Sequence, residues 1–319
     1  MTQEILLAVK DLCHSFDSHK AVHNIDFELH RGEVVALLGA NGAGKSTTLN
    51  IITGNLTADS GEITICGSNV ATHPKEAKAN LGYLPDTPPL YRELTVGEYL
   101  RFAARIHRVS KVNTALRIRY AIEVCGLGAV EKKLIANLSK GFKQRVGIAQ
   151  AIIHNPALVI LDEPTVGLDP LQMRDIRALL NELSNNHTVL LSTHLLAEAE
   201  TTCNRVLIID QGSLLLDQTL ENLNQNSSDG KTQRIKLRFH GSPSIDELNA
   251  IPGCESVSCS QYGKYICRYA DTQFIQQVQA RSLEKNWQLY EISSISGTLE
   301  QVFLDLVMRD SSNPTVAVL

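Results

Sequence analysis

Near the start of the chain, apolar and polar positions alternate in ILLAVKDL (from Ile5) and again in HNIDFELH (from His23). That period of two sets one face of a strand against a core. The polar run SFDSHKA joins the two, which predicts a small antiparallel layer. EVVALLGA, from Glu33, is apolar without interruption until its glycine, the sign of a strand buried on both faces. It passes through glycines into KSTTLNIIT, where the apolar spacing becomes helical. Over about 90–155 the helical spacing persists in LTVGEYLRFAARIHRV, ALRIRYAIEVCGL and FKQRVGIAQAIIHNP, and Pro156 ends the last of these. ALVILD and HTVLLSTH then bring back buried-strand runs on either side of a helix near LQMRDIRALLNELS. RVLIIDQGSLLLDQ predicts a hairpin turning at Gln211 and Gly212.

Polar turn formers then take over in NLNQNSSDGKTQ, which predicts a linker over 223–233 behind a first domain of residues 1–222. Beyond it, RIKLRFH, SIDELNAI, ESVSC, KYICRYA, TQFIQQVQARSLEKN and WQLYEIS alternate between strand and helix patterns, and LEQVFLDLVMR closes the chain as a helix. The order β-α-β-β-α-β predicts a small ferredoxin-like α+β domain over 234–319. Its alternating aromatic and aliphatic residues, Trp287 among them, are expected in a core.

Composition narrows the function classes. A chain of 319 residues fits two domains of about 150 residues each. A net charge of −4 gives no basic footprint for nucleic acid, so none is expected as a partner. No apolar run approaches the roughly 18 residues needed to span a bilayer, and MTQEILLAVKDL has no basic start before an apolar stretch, so no secretion signal is expected. The seven cysteines are scattered and form no CxxC pair, as in a reduced cytoplasmic protein.

Three places carry chemistry. GANGAGKS, Gly39 to Ser46, fits G-x-x-x-x-G-K-[ST] between a buried strand and a helix. Gly39, Gly42 and Gly44 let the backbone turn its N–H groups toward phosphate oxygens, Lys45 reaches the outer phosphates, and the Ser46 hydroxyl suits Mg²⁺. LVILDEP ends a buried strand with Asp162 and Glu163; the first is placed to hold Mg²⁺ and the second to orient or deprotonate a water. STH ends the next strand with His194, whose imidazole can donate to a phosphate or its leaving group. A fourth stretch, LSKGFKQRV, puts Ser139 and Gly141 at a helix start; by itself it reads first as an ordinary cap with solvated lysines.

In this order the motifs resemble the nucleotide-binding subunit of an ABC transporter over about residues 5–220. The resemblance implies a P-loop NTPase of the ABC ATPase type, an α/β fold with an antiparallel β layer and a helical subdomain. It makes Gly39, Asn41, Gly42, Ala43, Gly44, Lys45, Ser46 and Thr47 the ATP-binding loop and Asp162 with Glu163 the following acidic pair. His194 becomes the switch histidine, and Phe16 the aromatic that stacks on adenine, with a core position as its rival. The stretch at Ser139 and Gly141 becomes the signature motif, and VGLD, ending in Asp169, the loop that touches across a dimer. In that family the signature of one subunit closes on ATP held by the other, so a second ATP-binding subunit, expected to be an identical copy, completes each site. A separate transmembrane permease follows from the resemblance, with this chain peripheral on the inner face of the cell membrane. Residues 90–108 are where its contact is expected.

Two departures stand out. Lys140 and Phe142 occupy positions that are glycine and glutamine in the commonest signature, and Asp86 replaces the usual glutamine after LGYLP. An aspartate there can contact Mg²⁺ but cannot donate as an amide does. These features and TLEQVFLDLV resemble the type 2 exporter branch, which includes gliding-motility and copper-site-maturation relatives. An ABC-type mechanical ATPase acting on nucleic acid or ribosomes is the alternative. It is disfavoured by the single phosphate loop and the missing basic footprint. A P-loop kinase or GTPase would leave the signature stretch unexplained. The sequence leaves the transported molecule and the role of the second domain open.

Overall fold

A computed structural model describes residues 4–226, 233–241, 243–261, 263–271, 273–294, 299–300, 302–303 and 306. The chain divides into two compact units, Met1–Thr219 and Leu220–Leu319.

The first unit opens with β1 (Ile5–Phe16) and β2 (His19–His30), an antiparallel pair whose register runs from Ile5 opposite His30 to Phe16 opposite His19. The expected connection over 15–21 is therefore strand almost throughout. The chain reverses at Asp17, which takes the left-handed conformation at φ 52°. β3 (Val34–Leu38) follows and leads through a loop into α1 (Lys45–Ile52). β4 (Ser60–Ile65) and β5 (Ser68–Asn69) complete the antiparallel layer in the order β2-β1-β4-β5. α2 (Pro74–Ala79) and β6 (Leu81–Leu84) come next.

The helical segment holds α3 (Val96–Ile106), α4 (Lys111–Val124) and α5 (Lys140–Ile152). α3 is started by a capping box, Thr95 accepting from the Glu98 N–H while the Glu98 carboxylate accepts from the Thr95 N–H. α5 stops at Ile152, ahead of Asn155 in the left-handed region and Pro156, as the proline predicts. Then come β7 (Leu158–Asp162), α6 (Pro170–Ser184), β8 (Thr188–Thr193), α7 (Leu196–Thr202), β9 (Arg205–Asp210) and β10 (Ser213–Thr219).

A second sheet runs β10-β9-β3-β8-β7-β6, parallel except where β10 returns antiparallel on β9. β3, β7 and β8 are buried at every position, which explains their uninterrupted apolar runs. The β9–β10 turn has Gln211 and Gly212 both at positive φ, as a two-residue hairpin requires. One apolar cluster joins the two sheets around α1: Leu7, Val9 and Phe27 from the antiparallel layer, Leu49 and Ile52 from α1, and Leu37, Ile160, Leu190 and Leu207 from the parallel sheet. Each such side chain contributes about 1.5–3 kcal/mol. This packing fixes the ends of β3, β7 and β8 against the start of α1.

The second unit begins with α8 (Leu220–Asn226), so the predicted linker over 223–233 is helical at its start, where Leu223 is buried. Residues 227–232 lie outside the described residues. β11 (Gln233–Phe239), α9 (Ile245–Asn249), β12 (Cys254–Gln261), β13 (Lys264–Tyr269), α10 (Gln273–Glu284) and β14 (Leu289–Ser294) follow in the predicted order. The sheet order β12-β13-β11-β14 is antiparallel throughout, the ferredoxin-like arrangement. Its core holds Leu237, Tyr265, Phe274 and Trp287, with Trp287 edge-on to Phe239 at 5.9 Å. The expected closing helix over 299–309 lies mostly outside the described residues. Among the described residues no helix is long and apolar enough to cross a membrane.

Candidate functional site

The loop between β3 and α1 is shaped by close approaches. A Cβ on Gly39 would collide with the carbonyl oxygen of Ile209 on β9. Gly44 sits at φ 104°, where a Cβ would also lie 2.8 Å from the Ala21 oxygen. Both positions need glycine. The far side is pinned by the β9–β10 turn, whose Gly212 N–H donates to Ala43 O at 2.9 Å. α1 has no acidic residue in its first turn and no side-chain cap, so no side chain of its own satisfies its first N–H groups or offsets its positive end. That is an anion site in waiting.

Lys45 opens α1 and is buried to 6% exposure. Its Nζ donates to Gly39 O at 2.8 Å and Ala40 O at 3.2 Å, and lies 3.8 Å from Glu163 Oε1. Burial pushes the ammonium pKa down, and the Glu163 and Asp162 carboxylates act against that.

β7 lies beside β8, with Asp162 opposite Ser192. Asp162 is buried, which pushes its carboxyl pKa up; the nearby Ser192 and Ser46 hydroxyls work the other way. Its Oδ1 has no hydrogen-bond partner. One residue on, Glu163 turns out of the strand at φ 49°, a conformation costly for a side chain without a local reason. Its N–H still donates to Ser192 O at 3.0 Å. The turn brings its carboxylate to the end of β8, where His194 Nδ1 lies 2.9 Å from Oε2 and 3.0 Å from Oε1.

Gly44, Lys45, Glu163 and His194 line one cleft of about 390 Å³, together with Asn41, Gly42, Ser46, Thr47 and Asp86; Gly39, Ala43 and the buried Asp162 do not line it. The size suits a small-molecule ligand. The lining joins a lysine, amide-rich loop backbone and a hydroxyl on one wall to a carboxylate–imidazole pair on the other. Such a wall binds polyphosphate and can take a proton from a water beside it. Ala21 and Val166 also line the cleft; Val166 opens the VGLD stretch, while nothing in the sequence around Ala21 marks it.

Comparison with known proteins fits this geometry. The ABC transporter family profile matches residues 22–166. An uncharacterized ABC transporter ATP-binding protein of Bacillus subtilis (strain 168), YxlF, is 39% identical over 237 residues, covering 74% of this chain and 79% of its own. The chain belongs to the ABC transporter ATP-binding proteins. The bacitracin transport ATP-binding protein BcrA of Bacillus licheniformis is 36% identical, over 70% of this chain and 72% of its own. A second Bacillus subtilis relative, the uncharacterized ATP-binding protein YdbJ, is 32% identical over 94% of this chain and 95% of its own. Among solved structures, an ATP-binding subunit of an ABC transporter superposes with a TM-score of 0.64 at 37% identity, covering 70% of this chain and 93% of that one. The ATPase domains of this family bind ATP, and the cleft carries the polyphosphate chemistry they need.

Not every candidate residue of this ATP-binding subunit lies in the cleft. Ser139 caps α5, accepting from the Phe142 N–H at 3.4 Å, and neither it nor Gly141 lines the cleft of its own chain. Gly141 packs on α6, where a Cβ would come within 2.6 Å of Gln172 Oε1. Asp169 caps α6, accepting from the N–H groups of Leu171 and Gln172 at 3.0 and 2.9 Å. Phe16 is 49% exposed at the end of β1, with the His14 ring edge-on at 4.7 Å, which excludes the core position. It stands outside the cleft lining.

Proposed function

We propose that this chain hydrolyses ATP with Mg²⁺ to drive export through a separate membrane-spanning permease. The observation that carries the reading is the convergence of Lys45, Glu163 and His194 in one cleft. Lys45 neutralises charge on the outer phosphates. Glu163 accepts a proton from a water as its oxygen bonds to the γ-phosphorus and the bond to the β-phosphate oxygen breaks, giving ADP and phosphate. His194 donates its Nδ1–H to the Glu163 carboxylate and so holds it in place for the proton transfer.

Ser46, Asp162 and Asp86 would hold the metal. A hydroxyl, a buried carboxylate with an unpartnered Oδ1 and a second carboxylate are hard oxygen donors that fit Mg²⁺. Among the described residues no three His, Cys, Asp or Glu side chains cluster as a metal site, so phosphate and water would have to complete the shell. When bound, the ion supplies charge neutralisation across the phosphates.

Ser139, Gly141 and Asp169 are assigned to the site of a second copy, which returns the same residues to this one. Phe16 is assigned to the adenine. Export is supported by relatives named for bacitracin transport, linearmycin resistance and Nod factor export. The permease would hold the chain at the inner face of the membrane. Residues 1–222 are assigned to the ATPase and 234–319 to an accessory domain. The test is Glu163→Gln. It is expected to bind Mg-ATP with parental affinity and lose turnover; hydrolysis at the parental rate would remove Glu163 as the base and this reading of the cleft with it.

A further inference from the structure

Behind the Glu163–His194 pair lies a carboxyl group with no part in the scheme above. Glu198 sits in the first turn of α7 and is fully buried. Its Oε2 accepts from Thr193 Oγ1 at 2.6 Å, and the same hydroxyl oxygen accepts from the Leu195 N–H at 3.1 Å. Thr193 ends β8 and Leu195 precedes α7, so this hydroxyl spans the chain on either side of His194. The hydroxyl of Thr165, buried two residues after Glu163, lies beside the same carboxyl. Thr165 Oγ1 and Glu198 Oε1 are both buried without a hydrogen-bond partner, a donor and an acceptor left to each other.

A buried carboxyl is costly, and an apolar side chain of similar size would fill the space at less expense. Burial pushes the Glu198 pKa up; the Thr193 and Thr165 hydroxyls and the charge of Arg177 on α6 counter it, and the charge of Glu163 adds to it. What the carboxyl provides is two acceptor positions facing two loops. One loop carries Glu163 in a left-handed backbone that would relax if released. The other carries His194. We propose that Glu198 is a positioning residue that ties Thr165 to Thr193 and so keeps Glu163 and His194 within contact. The inference rests on the proposed roles of those two residues.

The test uses the full chain with ¹³C at histidine Cε1, the His194 resonance being identified by its loss in His194→Ala. Glu198→Ala and Thr193→Val are each expected to move that resonance toward its position in Glu163→Ala, leaving the other histidines in place. Glu198→Gln keeps an acceptor for Thr193 and gains a donor for Thr165, so it is expected to leave the resonance near the parental position. In turnover, folded Glu198→Ala should lose about tenfold to a hundredfold in kcat. Its KM for ATP should stay within about twofold, because the phosphate loop is untouched. A parental His194 resonance and parental kcat in folded Glu198→Ala would overturn the proposal. Should Glu198→Ala fail to fold, Thr193→Val decides by the same criteria. A parental chain that does not hydrolyse ATP would sink the proposed function, and the resonance would still report on Glu198.

Discussion

Lys45 occupies a position that burial makes expensive and ligand chemistry makes useful. Its ammonium is held by two carbonyls of its own loop and faces Glu163 across the cleft. Exchanging those contacts for phosphate oxygens is a move between charge-assisted hydrogen bonds, each about 1.5–3 kcal/mol. Lys45→Ala is therefore expected to weaken ATP binding by about tenfold to a hundredfold, measured by direct titration with Mg-ATP. Since the substitution also removes a desolvated charge, the melting temperature is not expected to fall in step. Unchanged affinity would mean that the lysine serves only its loop. At this scale the sequence was informative wherever spacing forces geometry. G-x-x-x-x-G-K-[ST] between strand and helix has one compact shape, and a strand ending in Asp162 and Glu163 must present them at a sheet edge. Ala21 and Glu198 were not legible, because their place depends on which strands become neighbours. Glu198 in LLAEAE looks like any helical surface acid, yet it is fully buried.

Where α3 and α5 end, two histidines meet. His107 follows α3, and His154 follows α5; their rings stack at 4.1 Å and 7°. His154 Nε2 donates to Leu81 O at 3.1 Å. Burial first, and then the charge of His107, depress the His154 pKa from its ordinary 6.5 to about 4. The neutral ring is favoured in the folded chain, so the unfolded chain takes up a proton first as pH falls. Stability is expected to be full above about 6.5 and to decline down to about 4, by up to about 1.4 kcal/mol per pH unit for this group. His154→Gln keeps a donor for Leu81 and does not titrate. Its stability, measured by denaturant unfolding between those pH values, should fall less steeply than the parental. Equal slopes would show that the ring does not carry the effect. Elements, like residues, were legible in proportion to their length. The long helices were anticipated from periodicity and the fully buried strands from uninterrupted apolar runs, whereas β6, α2 and α7 span too few residues to show either. The β1–β2 connection was placed too broadly because its turn runs through Asp17-Ser18 without the glycine that marks most two-residue hairpins.

A polyphosphate bound in the cleft is met by Lys45 and the loop amides along one wall, while the second stretch suited to phosphate, at Ser139 and Gly141, lies off that wall. On the proposed function, a single copy would leave one set of phosphate contacts unused and one face of its nucleotide uncovered. Pairing two copies head to tail answers both at once, and it predicts that ATP itself holds the dimer together. Glu163→Gln, which should bind without turning over, is expected to double in mass in sedimentation when Mg-ATP is added and to remain monomeric with Mg-ADP. Ser139→Asp in that background isolates the cause. Aspartate caps a helix about as well as serine, so α5 should be unharmed and the melting temperature little changed. The added carboxylate would face the partner's ATP, where like charge opposes closure. The double variant is therefore expected to bind Mg-ATP as a monomer. If it dimerises as readily as Glu163→Gln alone, Ser139 does not approach the phosphates and its conformational role ends at the cap of α5. A dimer lost only in the double variant would establish that the helix start read in LSKGFKQRV serves a neighbour's nucleotide.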